Sequence, residues 1–372
     1  MIVRFNNYTG GYRVLSFAKD RDAQAIIQQK GMECLLLDDG MIRMLPDGLA
    51  VDISEEELQK LYGSCDFDVF EVYENGSAYK CFDCASNDNV IFITSKCNSN
   101  CIMCPSPEAF RKNGVYNSAD NLIKIISYFP RTAEHITITG GEPFLVKKDI
   151  FRVLNYIKNN FENTRFLLLT NGRAFASNEY CRLFDETAPR NTIIGIPLHG
   201  HISELHDYIT QTEDSFYQTC RGIRNLLALN RSVQLRIVVS KLNAEYLGQI
   251  AQLIIREFAG VDNVKIMAME MTGSAAKNKE KVWIDYSLAF EKARIAIDEL
   301  VKSGIDVALY NFPLCFVARG YWNICEKSIS ENKIRFAPQC NICDVKDACG
   351  GAFSGTIRLL KDQMCPIGIK ND

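Results

Sequence analysis

From residue 88 onward, short apolar runs rich in β-branched residues alternate with amphipathic stretches, and this alternation narrows the fold more than any other feature of the chain. Parallel strands need a long crossover between them, so repeated strand–helix units imply a parallel sheet covered by helices. Strands are expected at Val90–Ser95, His135–Thr139, Arg165–Thr170, Thr192–Leu198, Val233–Ser240, Val264–Met269 and Asp306–Tyr310. Between the first two, Leu122, Ile125, Ile126 and Phe129 form a helical stripe ahead of Pro130. Further helices read over Ile150–Phe161, Phe216–Leu229, Tyr246–Phe258 and Leu288–Lys302. Six or seven such units with right-handed crossovers curl into a partial or complete β/α barrel. In such a barrel, chemistry gathers at the C-terminal strand ends.

Residues 1–86 follow another pattern. Short alternating segments are punctuated by turn signals (Thr9-Gly10-Gly11, Asp38-Asp39-Gly40, Pro46-Asp47-Gly48, Asn75-Gly76), with one helix from Ser54 to about Tyr62. Ser54 with Glu57 three residues on fits a capping box. This region is expected to be a small mixed or β-rich domain that either docks a peptide or supports the barrel. The barrel is expected over 87–310 and a cysteine-rich module over 311–372.

Net charge is −3, from 42 basic and 45 acidic side chains, which disfavours generic nucleic-acid binding. The longest apolar runs, such as Ile250–Ile255, fall far short of a membrane span. The opening run M-I-V-R-F-N-N-Y has no apolar h-region, so a cytoplasmic location is expected. Fifteen cysteines is a high count for such a chain, and in a reducing compartment clustered cysteines point to metal before disulfides. Cys34, Cys65, Cys181 and Cys220 are isolated and read as buried thiols; Cys81 and Cys84 have no obvious second pair.

Cys97, Cys101 and Cys104 follow the first expected strand at C-x3-C-x2-C spacing. A zinc knuckle wants four ligands in two pairs, whereas a 4Fe–4S cubane takes one thiolate per iron. Three cysteines would leave one iron open, the mark of a reactive site. A second constellation, Cys340-x2-Cys343-x5-Cys349-Gly350-Gly351, also has metal-site spacing. It needs a fourth ligand, with Cys315 the first choice and Cys365 the alternative; structural zinc is the competing reading. His199, His201 and His206 fall close together. They read as hydrogen-bonded groups and not as metal ligands, with His199 a candidate substrate contact.

The triplet, Gly140-Gly141-Glu142-Pro143 after the second strand and Thr170-Asn171-Gly172 after the third together resemble the radical S-adenosylmethionine (SAM) enzymes over about residues 88–310. The resemblance implies a partial (β/α)6 barrel whose cluster, on Cys97, Cys101 and Cys104, cleaves SAM to methionine and a 5′-deoxyadenosyl radical. It also implies SAM contacts at Gly140, Gly141, Glu142, Asn171 and Met103, the last standing where an aromatic residue is commoner. Gly141 is expected to let backbone approach the methionine end of SAM, so that a Cβ there would intrude on the ligand. Arg236 is a candidate partner for the SAM carboxylate.

The C-terminal cysteines resemble the auxiliary iron–sulfur modules of peptide-modifying relatives, implying one further cluster of the 4Fe–4S type on Cys315, Cys340, Cys343 and Cys349. Phe353 stands where the full seven-cysteine module has a cysteine. The runs Asn100–Pro107, Pro197-Leu198-His199 and Leu314-Cys315 are similar to the His-Xaa-Ser system radical SAM maturases of the HxsC type, although Ser106 stands where Gln is expected. That likeness implies a precursor-peptide substrate, a sister radical SAM maturase and a reductant such as flavodoxin or ferredoxin. Two alternatives stay open: a radical SAM enzyme acting on a small metabolite or an RNA nucleoside, and a non-catalytic iron–sulfur electron carrier.

Overall fold

The computed structural model describes residues 1–368. Two sheets organise it. The first has seven strands: β1 (Ile2–Arg4), β2 (Arg13–Ala18), β3 (Cys34–Asp38), β4 (Met41–Leu45), β5 (Leu49–Val51), β6 (Val69–Val72) and β7 (Ser77–Phe82), in the spatial order β1-β7-β6-β2-β3-β4-β5. Helix α1 (Arg21–Gln29) is the crossover that makes β2 and β3 parallel, while the other pairs are antiparallel. Helix α2 (Glu55–Tyr62) starts where the sequence places it, with the Ser54 hydroxyl accepting from the Glu57 N–H at 3.3 Å. The reciprocal half of the capping box is absent, because Glu57 turns to Lys60 at 2.6 Å.

The second sheet has eight strands, all parallel: β8 (Asn89–Phe92), β9 (His135–Thr139), β10 (Arg165–Leu169), β11 (Thr192–Pro197), β12 (Val233–Val238), β13 (Asn263–Met267), β14 (Asp306–Tyr310) and β15 (Cys325–Glu326). They follow one another in chain order, and β8 and β15 are left as two free edges. This is the expected α/β partial barrel. Strand β15 adds a two-residue rung beyond residue 310, so a boundary drawn there cuts through the sheet.

Side chains alternate across each strand. Ile136, Ile138, Phe166, Leu168, Ile194, Leu235, Ile237 and Ile266 are fully buried in one core, with residues such as Leu154, Phe184, Ile223, Ile254 and Ile297 from the helices outside the sheet. The opposite face lines the barrel lumen and stays partly accessible and polar at Thr137, Thr139, Arg236, Lys265 and Tyr310. Val14, Val69 and Phe82 of the first sheet join this same core, and Phe82 packs on Phe129 with ring centroids 4.7 Å apart. The first sheet thus shares apolar contacts with the barrel on one face and holds its own core (Phe5, Phe17, Phe70) on the other.

Candidate active site

The loop carrying Cys97, Cys101 and Cys104 leaves β8 at its C-terminal end and is braced on several sides. The Asn100 and Ile102 N–H groups donate to the Thr210 and Ile209 carbonyls at 3.0 and 2.9 Å, which ties the loop to α7 (Ser203–Thr210, with α3 Glu108–Lys112, α4 Ala119–Ser127, α5 Asp149–Asn160 and α6 Asn178–Thr187 preceding it). The Cys104 carbonyl accepts from the Ser274 N–H at 2.9 Å, and the Asn278 amide donates to the Ile102 carbonyl at 2.9 Å. Ile102 and Met103 are buried beside Ile209, Met269, Met271, Ala275 and Val282. Met103 therefore packs into an apolar cluster under the loop.

Cys97, Cys101 and Cys104 lie on one loop, near enough to sense one another. Cys101 is pushed up to about 12, chiefly by burial and also by Cys104 and Cys97 nearby. Cys97 is held at about 11, chiefly by burial, against the Ser99 N–H that donates to its sulfur at 3.4 Å. This mutual sensing is the effect of like groups held near one another. A three-thiol donor set of this kind fits a cubane with one iron left to another ligand.

Gly140 and Gly141 lie directly against this loop. The Gly141 N–H donates to the Thr94 carbonyl at 2.7 Å and the Glu142 N–H to the Lys96 carbonyl at 2.8 Å. An ideal Cβ on Gly141 would stand 2.5 Å from the Ser95 carbonyl oxygen and closer still to that of Lys96. The atoms a side chain would meet are thus the chain's own backbone at the root of the cysteine loop, a reason for glycine that stands beside the ligand approach expected from sequence.

Glu142 is 1% exposed. One of its oxygens accepts from the Phe144 N–H at 3.1 Å and the Thr170 hydroxyl at 2.8 Å, the other from the Asn171 N–H at 2.7 Å. Burial raises its carboxyl pKa, and these donors oppose the rise. Its contacts are internal, and they clasp the ends of β9 and β10 together. Asn171 continues the chain of contacts, its amide donating to the Asn98 side chain at 2.7 Å.

Two arginines that sequence reasoning passed over complete the bracing. Arg173 donates to the Asn98 carbonyl at 3.0 Å and the Ser99 hydroxyl at 3.2 Å. Arg111, 4% exposed, donates to the Asn100 side chain at 2.6 Å, to Ser274 at 3.1 Å and to the Ser106 carbonyl. Its charge lowers the pKa of both Cys97 and Cys101. Neither residue lies within a recognisable motif, and their contacts span up to 163 residues of sequence.

Arg236 stands inside the lumen, its guanidinium bonded to Gln234 at 2.8 Å and 5.7 Å from the Tyr310 ring centre. Burial lowers its pKa, and no carboxylate among the described residues pairs with it. Lys265 is its register partner on β13, bonded to Glu326 at 2.8 Å and also over Tyr310. Like charges opposite each other in a sheet repel, so the lumen presents a cationic spot with one carboxylate to balance it. Gly195 makes room for it, since a Cβ there would come within 3.2 Å of the Arg236 stem.

His199 and His206 contact each other. The His206 Nδ1 accepts from the His199 N–H at 3.2 Å, and the two rings stack with centroids 5.7 Å apart. Burial holds His199 at about 3 and, with Arg173, holds His206 at about 4. Both pKa values lie below the unfolded value of about 6.5, so below that pH the unfolded chain takes up more protons and stability falls. The unfolding free energy of the metal-free protein, measured by urea titration, is expected to drop from pH 7 to pH 5, by up to about 1.4 kcal/mol per pH unit for each histidine. His206→Gln is expected to make that slope shallower; an unchanged slope would contradict the buried neutral assignment.

Near the other edge of the barrel, Cys315, Cys340, Cys343, Cys349 and Cys365 line one small cavity of about 10 Å³ with Leu314, Phe336 and Met364. Cys315 is pushed up to about 11, chiefly by burial and also by the Cys349 and Cys340 sulfurs. Backbone N–H groups of Leu314 and Gly351 point at the Cys349 sulfur, and that of Ile367 at Cys343, each at 3.4 Å. Both candidate fourth ligands therefore reach the cavity. Among the described residues, no three His, Cys, Asp or Glu side chains stand close enough to share a single metal ion. Cys325, also passed over, lies near Cys349 but donates to the Tyr321 carbonyl. Cys81 likewise donates to the Val69 carbonyl.

Residues 91–254 match the model of the radical SAM superfamily. This part of the chain is a radical SAM domain. The chain is 29% identical over 151 residues to the antilisterial bacteriocin subtilosin biosynthesis protein AlbA of Bacillus subtilis, covering 40% of this chain and 32% of that one. It is 23% identical over 263 residues to the radical SAM cyclopropyl synthase TigE of Paramaledivibacter caminithermalis, covering 65% and 50%. The matches span between 32% and 57% of the curated relatives' own lengths. The crystal structure of Streptococcus suis SuiB superposes with a TM-score of 0.50 at 15% identity, over 65% of this chain and 53% of that one, a likeness of fold. Among the described residues no helix is long and apolar enough to cross a membrane.

Proposed function

We propose that this protein is a radical SAM maturase that crosslinks or oxidises side chains of a precursor peptide, of the His-Xaa-Ser type to which its local runs are similar. A 4Fe–4S cluster on Cys97, Cys101 and Cys104 would supply the electron that cleaves SAM and so provide the radical that takes a hydrogen atom from the substrate. The chain's own residues do the rest. Gly140, Gly141 and Glu142 hold the cysteine loop against β9, Asn171 fixes its far side, and Arg236 offers an unpaired guanidinium to the SAM carboxylate. Met103 backs the loop from below. A reductant such as flavodoxin or ferredoxin and a sister maturase belong to this reading.

The observation that carries it is the convergence of Cys315, Cys340, Cys343, Cys349 and Cys365 on one cavity. A second cluster there gives the reaction an electron acceptor, which an oxidative crosslink needs and a simple hydrogen-atom exchange does not. The names of AlbA and TigE, a bacteriocin biosynthesis protein and a cyclopropyl synthase, agree with peptide-directed and bond-forming chemistry.

Iron content tests the site. Anaerobically reconstituted protein is expected to hold about eight irons as two cubanes, and the Cys340→Ala, Cys343→Ala double variant about four. Four irons with one tightly bound zinc would make the second centre a structural knuckle. Co-expression with neighbouring short peptides, read by mass spectrometry, tests the substrate: a loss of two hydrogens is the expected product.

A further inference from the structure

A groove of about 870 Å³ lies apart from the residues of the proposed SAM site. It lies along the unpaired outer edge of β8, which supplies Asn89–Phe92, and it is walled by β6 and β7 of the first sheet. Ser330, Glu331 and Asn332, just past the opposite edge strand β15, close the far side. The groove is therefore the lateral slot of the unclosed barrel.

Three properties of this slot point to one kind of occupant. First, β8 has a ladder partner on one side only, and Val90 and Phe92 are 41% and 42% exposed; an apolar edge strand left open is a template for pairing with another chain. Only its upper end is covered, where Thr94 bridges to Tyr116 and Asn117 donates to the Phe92 carbonyl at 3.3 Å. Second, Tyr73 and Tyr79 add exposed aromatic surface on the facing sheet, at 41% and 42%. Third, the charge is one-sided. Glu71, Asp83, Asp88 and Glu331 line the groove against a single cationic side chain, Lys80, whose ammonium is already held by Asp68 at 2.9 Å and Asp83 at 2.7 Å.

We propose that the groove docks a basic, extended segment of the substrate peptide, which adds a strand to the free edge of β8. This deepens the peptide-maturase reading and rests on it. Strand addition draws affinity from main-chain hydrogen bonds, while the carboxylates select lysine- or arginine-bearing segments and reject acidic ones. Geometry also sets a spacing. Phe92 and Cys97 are five positions apart, at most about 17 Å of extended chain, so about five extended residues suffice to carry the modified side chain from the docked segment to the cysteine loop.

The test uses full-length reconstituted protein and a fluorescein-labelled decapeptide of alternating Lys and Val, read by anisotropy at low salt. Binding is expected for this probe and not for its Glu-Val counterpart. It should weaken at least tenfold in the Asp88→Lys, Glu331→Lys double variant, whose sites are exposed and tolerate the change. A probe N-methylated on alternate backbone amides should also lose at least tenfold, which isolates strand pairing without altering the protein. Equal binding of both charge types, no effect of the double variant, or full binding of the N-methylated probe would each overturn the proposal. SAM cleavage is measured in the same samples. If it proceeds while the groove tests fail, only the docking site falls; if wild type cleaves no SAM, the maturase reading falls with it.

Discussion

Each of Cys97→Ala, Cys101→Ala and Cys104→Ala is expected to reduce SAM cleavage to background, measured as 5′-deoxyadenosine formed under dithionite. The folded chain should survive. None of the three thiols belongs to the main core, and the apolar contacts that seat the loop come from Ile102 and Met103. The stability cost should stay under about 1 kcal/mol, the range of substitutions outside a packed core. The unequal burial of the thiols does not matter to this outcome, because a cubane missing one of three protein ligands is left with two open irons. Wild-type cleavage by any one variant would remove the assignment of the triplet.

Gly141→Ala separates two accounts of the double glycine. If the glycine serves ligand approach, an added methyl should weaken SAM binding tenfold or more, about 1.4 kcal/mol, and leave iron loading intact. The structure argues for the other outcome. The new Cβ would overlap the Ser95 and Lys96 carbonyls, and backbone atoms, that of Lys96 held by the Glu142 N–H at 2.8 Å, cannot rotate away as a flexible side chain can. Relief requires moving the root of the cysteine loop, at a cost of about 2–4 kcal/mol for an overpacked, backbone-limited site. In the Cys340→Ala, Cys343→Ala background, iron is therefore expected to fall from about four atoms to near none. Retained iron with weakened SAM binding would restore the ligand account.

Much of the barrel was legible because its strands carry both signals at once. His135–Thr139 and Asp306–Tyr310 were read at their observed bounds, being β-branched or apolar runs closed by turn residues. Strand β15 was not legible, since two residues carry no period; nor was α6, whose Asn178–Thr187 stretch mixes polar residues into its stripe. At the site, cysteine spacing was informative because ligand geometry constrains local sequence. Arg111, Arg173 and Lys265 were invisible for the opposite reason. In sequence, a buried or lumen-facing cation on a strand or short helix looks like any solvated lysine or arginine, and only the tertiary register brings it to the cysteines or opposite another cation. Gly141 was legible as a position closed to side chains, and the neighbour the structure adds is the backbone of the cysteine loop.

The open ladder between β8 and β15 bears on the topology of any long substrate. A sealed ring of strands can receive a polymer only by its tip, so the reacting position is always counted from an end. A cleft running the height of the wall has no such rule. A chain can be laid in sideways at its middle and lifted out again, and several positions along one strand of substrate can be presented in turn without either terminus ever passing through the enzyme.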